Sequence, residues 1–199
     1  MKRFLALVVM LAASSVVSIA QTQAERDSAI QYLEKTRQGV LDSTKGLSAV
    51  QWNFKPAPDR WSVAEVAEHI AAAEDFLYGN VQDKIMKAPA RPAGEDVKGI
   101  DEMVVAALTD RTHKAQAPEP LKPNNRFGSP EESLKHFQES RAKTIDLAKS
   151  GQGLRDHAED SFLGKKLDPY EWLLFISAHS ERHTKQILEV KADPNFPKS

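Results

Sequence analysis

The sequence predicts an all-α fold: an antiparallel four-helix bundle with one additional helical segment in the connection between its middle helices. Three observations predict it. Four long stretches repeat apolar residues with the helical period. Each opens on a short polar residue followed three positions later by Glu: Thr22 with Glu25, Ser62 with Glu65, Ser129 with Glu132, and Asp168 with Glu171. That spacing is the signature of a helix N-terminus. Alternating strand-like runs flanked by turns do not stand out. Four amphipathic helices with little else fold as a bundle.

The elements follow in order. Met1-Lys2-Arg3 precedes an apolar run from Phe4 to Val17, then Ser18-Ile19-Ala20. This is the order of a secretory signal peptide over 1–20, cut after Ala20, with a cut after Ala24 as second choice. The run is shorter than the ~20 residues of a bilayer span, so the sequence predicts export without a membrane anchor after cleavage. Residues 21–199 are one domain's worth of chain. A first helix over about 23–45 turns Ile30, Leu33, Val40 and Leu41 inward. Residues 53–59 are a turn-rich link. The second helix, about 63–87, is stapled by Trp61 on Val66 and carries the stripe Val63, Val66, Ile70, Ala73, Leu77 and Val81. A weaker helical segment covers about 100–115, between loops at 87–99 and 116–129 that are rich in Pro, Gly and charge. The helix over about 130–150 turns Leu134, Phe137, Arg141 and Ile145 inward. The last, about 169–191, has Pro169 in its first turn and Leu167 stapled to Trp172. Its stripe is Trp172, Ile176, Ser180, Ile187 and Val190, and Asp193-Pro194 stops it.

Composition excludes several functions. The chain has 27 basic and 28 acidic residues; without Lys2 and Arg3 it has 25 against 28, a net charge of −3. Its basic residues form no cluster, so nothing draws it to nucleic acid. It has no cysteine. It therefore needs no disulfide in an oxidising compartment and has no thiol of its own as nucleophile or ligand.

Its histidines carry the chemistry. His179 and His183 are four residues apart, one above the other on the last helix. His183 falls near the centre of the apolar stripe and His179 at its edge. His69 sits at the edge of the second helix's stripe. A buried imidazole must be hydrogen-bonded, metal-bound or functional. One such residue reads as a satisfied core histidine; a pair with a third on a facing helix reads as three ligands of a divalent metal with a fourth position open. His113, His136 and His157 lie opposite a stripe or near loops and read as surface residues. A zinc-protease motif needs Glu directly after the first histidine; Ser180 holds that place, and Glu181 faces away. Ala71, Ala72 and Ala73 either leave room beside His69 or are plain helix formers. Trp172, Phe76 and Gln186 are within two turns of the histidines and could line a pocket. Glu65 has its capping role, with orientation of His69 as the other reading. Trp61 reads as a staple only.

With these residues in place the chain resembles the DinB-like superfamily of four-helix metalloproteins. The resemblance rests on residues 54–69, with Trp61-Ser62 before a helix and His69 seven residues after Ser62, and on residues 178–187, which contain His179 and His183. It implies an up-down-down-up bundle with a long crossover. It also implies a divalent ion, commonly zinc or nickel, held by His69, His179 and His183. Characterised members mostly transfer or isomerise groups with a low-molecular-weight thiol such as bacillithiol or mycothiol. The export signal and the long stretch 87–128 depart from that pattern.

Two functions follow. One is a metal-dependent enzyme, hydrolase or transferase in type, that acts on a small molecule outside the cytoplasm, with a thiol as an optional cosubstrate and no assignable general base. The other is a binding or stress-response module in which the histidine cluster is structural. Monomer and homodimer both remain open.

Overall fold

The structure, a computed structural model, describes residues 21–113 and 115–198. The leader expected over 1–20 lies outside the described residues. Six α-helices are present among the described residues: α1 (Gln23–Thr44), α2 (Ala49–Asn53), α3 (Val63–Asp83), α4 (Val97–Thr109), α5 (Pro130–Ser150) and α6 (Pro169–Lys191).

The helix starts are built as their sequences predict. Thr22 with Glu25, Ser62 with Glu65, and Asp168 with Glu171 form reciprocal capping boxes, each satisfying two otherwise orphaned backbone donors. Ser129 accepts from the Glu132 N–H at 3.1 Å without a reciprocal bond. A further box, Ser48 with Gln51, starts the short α2, a helix too short to show a periodic pattern in the sequence.

The long helices α1, α3, α5 and α6 make the bundle. α6 packs on α1, α3 and α4, and α5 closes the far side against α1 and α3. Contacts at the helix ends fix how they lie. The Tyr170 hydroxyl donates to Glu25 O at 3.0 Å, and Lys191 Nζ to Ser43 O at 2.7 Å, so α1 and α6 have like ends together. Arg26 Nη1 donates to Ala148 O at 2.6 Å, so the start of α1 meets the end of α5. Two apolar clusters fill the interior. One joins Ala73, Leu77 and Val81 of α3 to Leu173 and Ile176 of α6; the other joins Val63, Val66 and Ile70 to Ile187 and Val190. The start of α3 thus sits beside the end of α6. With neighbours on three sides, α6 is buried at every position from Pro169 to Ala178.

Several expected boundaries shift. α3 ends at Asp83, and Ile85–Lys87 is a 3₁₀ turn rather than a continuation. The weaker segment runs from Val97 to Thr109 rather than 100–115. It starts early because Asp96 caps it through the Gly99 N–H at 3.0 Å. A Cβ on Gly99 would lie 2.3 Å from Asp96 Oδ2, so a larger residue there would require that carboxylate to shift. A small antiparallel ribbon, β1 (Glu159–Asp160) with β2 (Lys166–Leu167), replaces the expected absence of strands. Among the described residues no helix is long and apolar enough to cross a membrane.

Candidate metal centre

His69, His179 and His183 converge. One ring nitrogen from each lies within 4.8 Å of the others. Ring centroids are 5.1 Å apart for His69 and His179, 4.5 Å for His69 and His183, and 4.4 Å for His179 and His183. α3 supplies the first imidazole beside the last turns of α6, and the four-residue spacing on α6 supplies the other two. His69 is 3% exposed and His183 8%. His179 keeps partial solvent access. The remaining histidines stay apart. His113 is exposed; His136 pairs with Asp75 and stacks on Phe127; His157 Nδ1 bonds to Ala88 O at 2.7 Å. His136 and His157 are thus half-buried rather than fully solvated.

Hydrogen bonds on the outer ring nitrogens set the tautomers. His69 Nδ1 donates to Leu121 O at 2.9 Å. His183 Nδ1 donates to Gln186 Oε1 at 2.9 Å. A carbonyl oxygen only accepts, so both protons sit on Nδ1 and both Nε2 atoms carry lone pairs. His69 Nε2 lies 3.3 Å from His179 Nε2. Two nitrogens each about 2.0–2.1 Å from a tetrahedral ion would be about 3.3–3.4 Å apart. The donor set therefore fits a divalent metal. Among the described residues the group contains no fourth His, Asp or Glu.

Electrostatics agree. Burial holds the imidazole of His69 below its ordinary range, against the pull of the Leu121 bond. Burial also holds His179 and His183 well below it, with mutual repulsion among the histidines adding to the effect. Arg182 and Arg141 push His179 further down, and Arg111 does the same to His183. All three are neutral at neutral pH, the form that ligates.

The surroundings refine the sequence reading. Glu65 bonds to the Ser62 N–H at 2.7 Å and pairs with Lys55; it does not orient His69. The backbone of Leu121 does that. Gln186 is a partner of His183 rather than a general pocket wall. Trp61 packs on His69 at 4.9 Å between centroids, so it is more than a staple. Ala71, Ala72 and Ala73 are buried in helix contacts instead of opening space. Phe76 is exposed, and Trp172 is separated from His179 by Phe175, which lies 4.9 Å from Trp172 and 6.5 Å from His179. Glu68, a residue not predicted from the sequence, is buried beside His69 and accepts three backbone N–H groups. Its only signal in the sequence is a carboxylate next to a candidate ligand.

The comparisons with known proteins match this architecture. The chain is 26% identical over 158 residues to the uncharacterized protein YuaE of Bacillus subtilis (strain 168), covering 79% of this chain and 93% of that protein. The solved structure of YfiT from Bacillus subtilis superposes with a TM-score of 0.54 at 16% identity, covering 90% of this chain and 93% of that one. YfiT is described as a probable metal-dependent hydrolase with an unusual four-helix bundle topology, and at this identity the likeness speaks for the fold. The family model of the DinB superfamily matches residues 32–187, most of the bundle and all three histidines, and the chain belongs to that superfamily.

Proposed function

We propose that this protein is an exported metal-dependent enzyme, hydrolase or transferase in type, whose divalent ion is held by His69, His179 and His183. The observation that carries the reading is the convergence of three neutral imidazoles with Nε2 of His69 and His183 freed by partners on Nδ1. Three protein ligands leave a position open, the arrangement of catalytic rather than structural sites. YfiT's description as a probable metal-dependent hydrolase supports the same class. Zinc or nickel suits an all-imidazole set. Such an ion supplies Lewis acidity and lowers the pKa of a bound water or thiol.

The chain's own residues supply the rest. Leu121 O and Gln186 hold two rings in ligating orientation. Trp61 and Phe175 shield the cluster on two sides. The partial solvent access at His179 is where a small substrate reaches the cluster. With the leader 1–20 removed, the protein works outside the cytoplasm. Water is then the co-reactant at hand, and a cytoplasmic thiol is not, which favours the hydrolase over the thiol transferase. A cut after Ala20 keeps the Thr22–Glu25 cap, whereas a cut after Ala24 removes it.

Metal analysis and intact mass of the protein purified from its own host's envelope fraction test this reading. The expected result is one divalent ion per chain and a mature start at Gln21. His183→Ala abolishes stoichiometric binding and His136→Ala leaves it intact. Equal loss in both variants, or metal-free wild type, sinks the assignment. Screening the loaded protein against hydrolase and thiol-transfer substrates then separates the two reaction types.

A further inference from the structure

Glu68 is a buried carboxylate with an unusual set of partners. Its oxygens accept from the backbone N–H groups of Asn124 at 2.8 Å, Asn125 at 2.9 Å and Arg126 at 3.0 Å. Arg126 Nε lies 3.4 Å away. Three successive N–H groups converging on one anion form a nest. Asn125 has φ 64°, the left-handed conformation that turns them to one side. Burial raises the Glu68 pKa, but the backbone bonds overcome this and hold it below the usual carboxylate range.

The same loop touches the next residue of α3. Leu121, three residues before the nest, presents its carbonyl to His69 Nδ1. The intervening chain is stiff. Pro123 restricts Lys122 to extended backbone, where it has φ −67° and ψ 139°. Arg126 Nη2 donates to Lys122 O at 2.8 Å, closing the loop on itself. The side chain of Leu121 is buried. The segment 121–126 is therefore fixed to α3 at two adjacent residues, once by the Glu68 carboxylate and once by the His69 imidazole.

We infer that Glu68 is a positioning residue for the metal centre: by anchoring the 124–126 nest it places the Leu121 carbonyl on His69 Nδ1 and keeps the Nε2 lone pair aimed at His179 and His183. The inference rests on the three-histidine reading above. It has its own readout, because the position of the ring proton is measurable without metal. An imidazole free in water prefers its proton on Nε2; the Leu121 carbonyl reverses that preference, and Glu68 holds the carbonyl in place.

Long-range proton–nitrogen NMR of the metal-free protein reads the His69 tautomer, and titration with cobalt(II) reads affinity. Wild type shows the proton on Nδ1. In Glu68→Gln the charge is gone and half the side chain becomes a donor facing donors. The His69 proton then moves toward Nε2, and cobalt(II) affinity falls about 10- to 100-fold, with helical circular dichroism unchanged. Asn125→Val leaves Glu68 charged but strains the left-handed turn, and gives the same two changes; Asn125→Gly gives neither. Should Glu68→Gln not fold, the Asn125 pair carries the test. A folded Glu68→Gln or Asn125→Val that keeps the proton on Nδ1 and wild-type affinity overturns the inference. If wild type binds no cobalt(II), the metal reading fails, while the tautomer shift still decides what Glu68 does.

Discussion

At the scale of single residues, burial makes the three imidazoles ready to bind a cation. Each loses solvation of its charged form, so each stays neutral at a lower pH than a histidine in water. Metal affinity should therefore hold as pH falls below the ordinary histidine value of 6.5 and drop only as it passes the depressed values. The sign for stability is the same. These groups contribute stability to the metal-free fold above the unfolded value, and it is lost as pH falls from there through the folded ones. Competition titrations of zinc at stepped pH check the first claim; an affinity midpoint at or above 6.5 would contradict it. The ligands themselves were legible in sequence, because helical spacing alone puts His179 and His183 on one face and His69 beside an apolar stripe. Their partners were mostly not. Leu121 acts through its carbonyl, which every residue has, from a loop 52 positions away in the chain.

At the scale of helices, the caps were the most readable feature, yet caps that look alike in sequence carry different loads. Ser62 is buried and bonds within its own box, with the half-buried Glu65. Asp168 caps α6 at zero exposure and also meets Arg91 and Arg155, while Glu171 pairs with Arg91 at 2.8 Å. Arg155 extends the network to Asp101 and Glu25, each at 2.7 Å. Ser62→Ala should cost about 1 kcal/mol, the ordinary value of a cap. Asp168→Ala should cost about 3–5 kcal/mol, because two buried guanidinium groups lose a partner. Urea denaturation of both variants decides the point: equal costs would mean that the arginine network adds nothing to the cap. Sequence patterning could not separate the two cases. Arg91 lies in a segment that reads as loop and Arg155 in one without periodicity, so neither announces a buried partner. α2 and the β1–β2 ribbon escaped for a simpler reason, being shorter than any periodic signal.

At the scale of the whole molecule, the bundle was legible because amphipathic period, caps and loop composition all point the same way. What holds the four long helices in register was not. Arg141 reads as an inward stripe residue and has no exposure, but the pattern does not show what its charge pairs with. Its five N–H groups are all used: Nε and Nη2 on the two oxygens of Glu74 at 2.8 and 2.7 Å, Nη1 on Leu33 O and Thr36 Oγ1 at 2.8 Å each, and Nη2 also on Ser180 Oγ at 2.7 Å. One guanidinium on α5 thus ties α1, α3 and α6 together, and its contact on α6 is the residue next to His179. Thr144 adds a bond to Glu74 at 2.7 Å. A buried pair of this kind gains little over apolar packing but is costly to break from one side. Arg141→Met should therefore cost about 3–5 kcal/mol by stranding the Glu74 carboxylate. Adding Glu74→Met should recover most of that loss, since no unpaired charge remains. The double variant should also release Ser180 and loosen the α6 segment that carries His179, lowering metal affinity even where stability returns. A double-mutant cycle by urea denaturation, run beside cobalt(II) titration, separates the two effects. If the double variant is as unstable as Arg141→Met, the stranded charge is not the source of the cost. If it recovers both stability and affinity, the tie to Ser180 plays no part in holding the metal centre.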